Sequence, residues 1–240
     1  MTARAARAAT TRIDRSLAGV TAFRELPDDV RRRLEGRCQW QHYEPGVEIL
    51  GYQDPSRDVF FITRGRVRAV IYSHAGQAVA FRDLGAGDMF GELAAIDGER
   101  RSAGIEAVET CTIAKMSPAA FWDLVLAERA VTKAVLLHLN RLIRSLSTRV
   151  FEFSTLTVRN RIHAELLRLC RDQGATTKSV RLTRLPTHAE LASRISTHRE
   201  AVSRELARLA KLGLLERRSG AIIVTDVERL ARMVDDATHE

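Results

Sequence analysis

Cysteine is scarce: Cys38, Cys111 and Cys170 are scattered through 240 residues with no CxxC spacing. That excludes a disulfide framework and a cysteine zinc site, and a reducing cytoplasm is the expected setting. No apolar run approaches the roughly 20 residues that span a bilayer, so no membrane partner is expected. The first fifteen residues are rich in arginine, alanine and threonine and have no apolar centre, which is not the pattern of a secretory signal. P-loop, HExxH, GxSxG and GxGxxG patterns are all missing. The sequence therefore offers catalysis no foothold, neither a metal nor a cofactor is expected, and the chain reads as a non-enzyme. Glycine and proline are absent from Ala119 to Gln173, which leaves helix as the expectation for that whole stretch.

What the sequence does have is positive charge. The net charge is +8 and the pI about 10.1, which favours a polyanionic partner. Much of the charge sits in the first fifteen residues and after Thr155. Residues 1–17 read as a basic disordered tail. Pro27-Asp28-Asp29, followed by Val30 and Leu34, predicts a short helix with acids at its positive end. From Gln41 to about Met116 the texture becomes short β-branched and aromatic runs. Examples are Val59–Thr63, Val67–Tyr72, Ala78–Phe81 and Cys111–Ala114. Turn signals at Arg64-Gly65, His74-Ala75-Gly76 and Gly85–Asp88 separate them, which predicts an antiparallel sandwich or barrel over 18–126.

Pro118 opens the helical region. Val135, Leu139, Leu142, Leu146, Val150 and Phe153 recur at steps of three and four, a heptad-like stripe. Such a stripe serves either to pack a helix on its own β domain or to seam two copies together. The narrow stripe, flanked by Arg141, Arg144 and Arg149, favours a homodimer helix over 127–154. Small and β-branched residues at Ser154-Thr155 read as a hinge. Beyond it, 155–240 reads as one domain: an amphipathic helix from Val158 ending at Gly174, a strand near Ser179–Leu182, then two short helices. The first spans Thr187–Ile195; the second opens at Thr197, with Glu200 closing a capping box and Val202, Leu206 and Leu209 on one face. A hairpin follows, Leu214–Arg218 and Ala221–Val224 about a Ser219-Gly220 turn, completing a winged helix-turn-helix. The tail from 227 reads as a helix.

Two motifs carry chemistry. On the second short helix, Arg199, Glu200 and Arg204 lie away from the apolar stripe. Arginine can fork onto guanine and glutamate can accept from cytosine, whereas on a purely solvated helix Glu200 would only cap. In the β region, Gly91-Glu92-Leu93 precedes Arg101-Ser102-Ala103. The glycine lets backbone approach a ligand, Glu92 can accept from a ribose hydroxyl, and Arg101 can clamp a phosphate. A Glu–Arg pair of this kind is otherwise a structural salt bridge.

A β-roll with Gly91-Glu92-Leu93 and Arg101-Ser102-Ala103, a long helix, and a winged helix with Arg199-Glu200 and Arg204 together resemble the Crp/Fnr family of bacterial transcription regulators. The resemblance runs from about residue 18 to 225. It implies an α+β chain: a cyclic-nucleotide-binding β-roll (jelly-roll), a long dimerisation helix, and a C-terminal winged helix-turn-helix. By the same resemblance, Gly91 and Glu92 hold the ribose and Arg101 and Ser102 the cyclic phosphate of cAMP or cGMP. In the family's cAMP-binding members a Thr-Ser pair of the long helix reaches the purine. Leu146 and Ser147 stand there in this chain, with Thr148 next. Arg199, Glu200 and Arg204 match the base-contacting positions for a TGTGA-type palindrome in double-stranded DNA. Thr187, His188, Thr197, His198 and Ser203 are candidates for phosphate contacts, and RNA polymerase is the implied protein partner. The cysteine cluster of the family's iron–sulfur sensors is missing. Two further readings stay open: a family member independent of nucleotide or tuned to another small effector, and a non-transcriptional cyclic-nucleotide module, against which the winged helix argues.

Overall fold

The computed structural model describes residues 15–72, 78–173, 178–182, 186–218 and 221–239. Most of the basic tail, the His74-Ala75-Gly76 turn, the Gly174 helix stop and the Ser219-Gly220 turn lie outside them. The chain divides into two compact units, Met1–Ala69 with Asp83–Leu137 and Val70–Arg82 with His138–Glu240, so that one change falls along a helix after Leu137.

In the first unit, helix α1 (Asp28–Arg37) follows Pro27, with Asp28 and Asp29 in its first turn and Arg37 in its last. These charges oppose the helix dipole, as the sequence predicts. Two four-stranded sheets follow. One runs in the order β1 (Gln39–Tyr43), β8 (Cys111–Met116), β3 (Val59–Arg64), β6 (Met89–Phe90); the other is β2 (Glu48–Leu50), β7 (Gly104–Ala107), β4 (Arg66–Tyr72), β5 (Ala78–Gly85). Strand β3 is the centre of the first sheet and pairs antiparallel with both β8 and β6. Its Val59, Phe60, Phe61 and Ile62 are all buried, which is why it reads as a continuous apolar run rather than an alternation. Phe60 stacks on Phe90 at 4.9 Å between ring centres, and Phe23 tilts onto Phe61 at 4.7 Å. Gly65, at the β3–β4 turn, has φ +87°, and a Cβ there would lie 2.4 Å from the Thr110 carbonyl oxygen. Only glycine fits that corner.

Between β6 and β7 runs the short helix α2 (Glu92–Asp97), with Gly91 before it and Gly98 after it, both in the left-handed region. Helix α3 (Pro118–Ala127) starts where the sequence puts it: Ser117 Oγ accepts from the Ala120 amide and Pro118 takes the first helical position.

The uninterrupted helical region resolves into three helices. Glu128 alone separates α3 from α4 (Arg129–Thr155), and Leu156-Thr157 separate α4 from α5 (Val158–Asp172). No glycine or proline marks either break. The second is capped by Thr157, whose hydroxyl accepts from the Asn160 amide. The stripe also differs from its expected course. Val135 is buried and Leu139 and Leu142 are half-buried, whereas Leu136, Ile143, Leu146, Val150, Phe151 and Phe153 are exposed. The last three members of the expected stripe, Leu146, Val150 and Phe153, thus lie exposed beside Ile143, while its first member, Val135, is spent on the core.

The second unit contains α5, strand β9 (Val180–Leu182), helices α6 (His188–Arg194) and α7 (Arg199–Lys211), strands β10 (Leu215–Arg218) and β11 (Ala221–Val224), and α8 (Val227–His239). The three strands form an antiparallel sheet ordered β10-β11-β9. Leu166, Leu182, Leu191, Val202, Leu209 and Leu214 centre its core. Burying each of these side chains contributes roughly 1.5–3 kcal/mol. The α6–α7 turn passes through Ser196 at φ +50° and is tied back by the Thr197 amide to the Ala192 carbonyl, 3.0 Å.

One capping expectation is corrected here. Helix α7 begins one residue later than expected, with His198 as N-cap and no side-chain cap, so Thr197 and Glu200 form no capping box. The box belongs instead to α6: Thr187 Oγ1 accepts from the Glu190 amide, and Glu190 accepts from the Thr187 amide at 2.7 Å.

Candidate functional site

In the first unit, the fold brings Gly91 and Arg101 into direct contact. Arg101 precedes β7 and is 2% exposed. Its Nη1 donates to the Gly91 carbonyl at 2.9 Å, its Nη2 to the Asp58 carbonyl at 2.9 Å, and its Nε to Ser56 Oγ at 3.2 Å. The guanidinium lies 5.7 Å from the centre of the Phe60 ring. A Cβ on Gly91 would sit 2.7 Å from Arg101 Nη1 and 2.8 Å from the Asp58 carbonyl oxygen, and Gly91 has φ +80°. The glycine is thus required twice, by conformation and by the close approach of the arginine. Asp58 holds its own carboxylate against Lys115 Nζ at 3.0 Å. Burial lowers the Arg101 pKa, against the opposing pull of Asp58, Asp54 and Glu92.

Glu92 is buried in the first turn of α2, Leu93 and Ala103 are half-buried, and Ser102 is exposed beside Arg101. The loop from Gly51 to Asp58 clasps this segment: the Gln53 amide donates to the Arg101 carbonyl and the Arg101 amide to the Asp54 carbonyl, both at 3.0 Å. Ser56, Asp58 and this loop are partners that reading the sequence missed, since polar residues between strands carry no periodic signal. Ser147 and Thr148 belong to the other unit. Both are exposed on α4, with hydroxyls donating to the carbonyls of Ile143 and Arg144 at 3.0 Å.

In the second unit, Arg199, Glu200 and Arg204 are all exposed near the start of α7, opposite the buried Val202, Leu206 and Leu209. Since Glu200 caps nothing, its carboxylate is not used by the helix end. His188 and Ser203, both half-buried, pair with each other: His188 Nδ1 and Ser203 Oγ are 2.7 Å apart. Thr187 is spent on the α6 cap, while half-buried Thr197 and exposed His198 form the turn into α7. Burial, then Arg217 and Arg199, hold the His188 pKa below the usual histidine range. Arg217 of β10 therefore shares this electropositive face. Its signal in the sequence was the Arg217-Arg218 pair just before the wing turn.

Behind that face lie buried carboxylates that amphipathic reading did not find. Glu205 of α7 meets His163 of α5, with Oε1 and Nε2 2.6 Å apart, and accepts from Arg208 at 2.7–3.0 Å. Burial pushes the Glu205 carboxyl up, but Arg208 and His163 outweigh it and hold the pKa low. Burial lowers the His163 pKa, and its Nδ1 has no hydrogen-bond partner. A neutral ring donating from Nε2 to Glu205 leaves only that acceptor unmet; a protonated ring would bury an unmet donor. Cys170, buried in the same core, is pushed up to about 11 by burial and is an unreactive thiol.

Comparison with known proteins agrees with this layout. Residues 40–128 match the cyclic nucleotide-binding domain family, and residues 160–233 match the Crp-like helix-turn-helix domain family. The chain is 26% identical to the cAMP-activated global transcriptional regulator Vfr of Pseudomonas aeruginosa over 196 residues, 80% of this chain and 92% of that one. It is 23% identical to the CRP-like cAMP-activated global transcriptional regulator of Mycobacterium tuberculosis, over 92% of this chain and 99% of that one. Among solved structures, a CooA mutant from Carboxydothermus hydrogenoformans matches with a TM-score of 0.73 and 23% identity, covering 83% of this chain and 88% of that one. The c-di-GMP responsive global regulator CLP of Xanthomonas campestris matches at 0.69 and 19% identity, covering 80% and 96%. Among the described residues no helix is long and apolar enough to cross a membrane. With one domain match over the β-roll, another over the winged helix, and the two in this order, the chain belongs to the Crp/Fnr family of transcription regulators, which are not enzymes.

Proposed function

We propose that this chain is a homodimeric, cytoplasmic regulator whose grip on DNA is set by a cyclic nucleotide, cAMP or cGMP. Its domains are the β-roll over 18–126, the dimer helix over 127–154 and the DNA-binding domain over 155–240. Gly91, Glu92, Leu93, Arg101, Ser102 and Ala103 bind the ribose and phosphate, and Ser147 and Thr148 meet the base. Arg199, Glu200 and Arg204 read a TGTGA-type palindrome. Thr187, His188, Thr197, His198 and Ser203, joined by Arg217, contact phosphates. The exposed Ile143, Leu146 and Val150 of α4 meet a second copy, which supplies the second reading helix for the other half-site. RNA polymerase is the expected protein partner.

The observation that carries the nucleotide assignment is Arg101: a buried guanidinium whose direct partners are a hydroxyl and two backbone carbonyls, none of them anionic. Each of its terminal nitrogens keeps a further N–H for an incoming phosphate. The same three neutral partners favour a second reading, in which Arg101 is a strut of the roll and the regulator is independent of nucleotide or answers another small effector.

Calorimetric titration with cAMP and with cGMP, each with and without a TGTGA-type palindromic duplex, separates the two. The proposal expects micromolar or tighter binding that the duplex strengthens, as linkage requires. Duplex binding with no response to either nucleotide establishes the second reading.

A further inference from the structure

Helices α4 and α5 are separated by two residues, and guanidinium groups cross that break in both directions. Arg149 of α4 reaches forward. Its Nη1 donates to the carbonyl of Arg194, the last residue of α6, at 2.8 Å, and its Nη2 approaches Glu165 of α5 at 3.5 Å. Arg168 of α5 reaches back, donating from Nη2 to both oxygens of Glu152 on α4 at 2.7 and 2.9 Å, and from Nη1 to Glu165. Arg194 adds its own bond to Glu165 at 3.1 Å. Glu165, 1% exposed, is the hub. Arg161 of α5 over the Phe153 ring of α4, 5.2 Å, spans the same break.

The placement matters more than the number of bonds. The carbonyl that Arg149 holds is where α6 ends and the turn into α7 begins, so one α4 side chain touches the root of the reading helix. Arg149 also follows directly after Ser147 and Thr148. Any change in the angle between α4 and α5 has to pull Arg149 from Arg194 and Arg168 from Glu152 together. Contacts that must break together make an element with discrete arrangements rather than a soft joint.

We propose that Arg149 is the coupling residue of this regulator, the α4 arm of a clasp centred on Glu165, with Glu152, Arg168 and Arg194, that transmits the state of α4 to α7. The proposal deepens the reading given under Proposed function and rests on it for the effector. The clasp holds three guanidiniums against two carboxylates, so losing Arg149 leaves Glu165 paired with Arg168 and Arg194. Arg149→Met therefore loosens the joint without stranding a buried anion.

Two measurements on the full-length protein test this. In the first, spin labels at Ser145→Cys on α4 and Lys211→Cys on α7, with Cys38→Ser and dilution by excess unlabelled chain, give the distance distribution across the joint. Arg149→Met is expected to broaden it and Arg149→Lys to give an intermediate width; a distribution as narrow as the parent overturns the proposal. In the second, duplex affinity is measured with and without saturating cAMP or cGMP. Coupling in such systems is about 5–150-fold, and Arg149→Met is expected to bring the ratio to within about twofold of one. A merely structural role would weaken duplex binding equally in both arms and keep the ratio, which also overturns the proposal. If the parent itself shows a ratio of one, the nucleotide reading fails, and the distance distribution still decides on the clasp.

Discussion

Arg101 in the β-roll and Glu165 in the helical unit are equally deep charges, exposed at 2% and 1%, and the fold treats them in opposite ways. Arg101 is met by dipoles: a serine hydroxyl and two main-chain carbonyls. Glu165 is met by ions, with Arg149, Arg168 and Arg194 converging on one carboxylate. A cation held by neutral acceptors keeps its net charge and part of its donor capacity, so it still has something to offer an anion. A carboxylate surrounded by surplus guanidinium has nothing left to bind. On the proposed function, the difference separates a charge kept for a ligand from a charge kept for geometry, although both look alike on a burial scale.

The largest effect is expected from Glu165→Ala. Removing the hub leaves buried Arg194 and half-buried Arg149 and Arg168 with Glu152 alone, a loss of about 3–5 kcal/mol in the second unit. Both tryptophans, Trp40 and Trp122, lie in the first unit. Their fluorescence in a urea titration should hold its midpoint while the helical circular dichroism shifts to lower urea; a common shift would show that the charge is not confined to its unit.

Arg101→Leu should weaken nucleotide binding by about 1.5–3 kcal/mol, the range of a hydrogen bond to a charged group. It should also lower the tryptophan-reported midpoint, because Ser56 and two carbonyls lose their donor. Unchanged nucleotide binding with a lowered midpoint would make Arg101 as structural as Glu165 and erase the contrast. Arg204→Ala should cost roughly 1–3 kcal/mol of discrimination at one guanine, read by competition between duplexes, with nucleotide binding untouched.

The smallest effect is on pH. His163 is neutral and buried beside Glu205, Arg208 and Arg159, and its pKa is lowered from 6.5 by burial. The unfolded chain then binds the proton more readily. Stability of the second unit is fully present above about pH 6.5 and declines as pH falls towards the native value. His163→Gln should flatten that decline in thermal unfolding between neutral and mildly acid pH; a profile as steep as the parent's would assign the decline to other groups.

Much of this architecture was legible in the sequence because it follows from periodicity and punctuation. The strands around Phe60 and Val67, the turn at Gly65, the start at Ser117-Pro118 and the apolar face of α7 all came from local pattern. The Gly91 and Arg101 pair was legible as chemistry, but its partners Ser56 and Asp58 were not. What escaped was whatever depends on a helix being enclosed. Helix α5 is buried at Ile162 through Leu167 without interruption, so His163 and Glu165 sit inside although their residue types read as surface. The same enclosure explains Glu205, and the expected stripe of α4 loses Val135 to the core because part of that helix packs inward. Capping was misplaced by one helix, since Thr-x-x-Glu occurs at the start of both α6 and α7 and only the fold decides which one closes.

The buried position of Glu165 also sets how the molecule responds to salt. Arg199, Arg204 and Arg217 are exposed, and on the proposed function salt, with a Debye length of about 10 Å at 0.1 M, weakens their attraction to DNA. The clasp around Glu165 is shut away from mobile ions and is screened far less. If both proposals hold, rising ionic strength weakens attraction to DNA while the angle between α4 and α5 is kept, and a return to low salt is expected to restore binding without refolding.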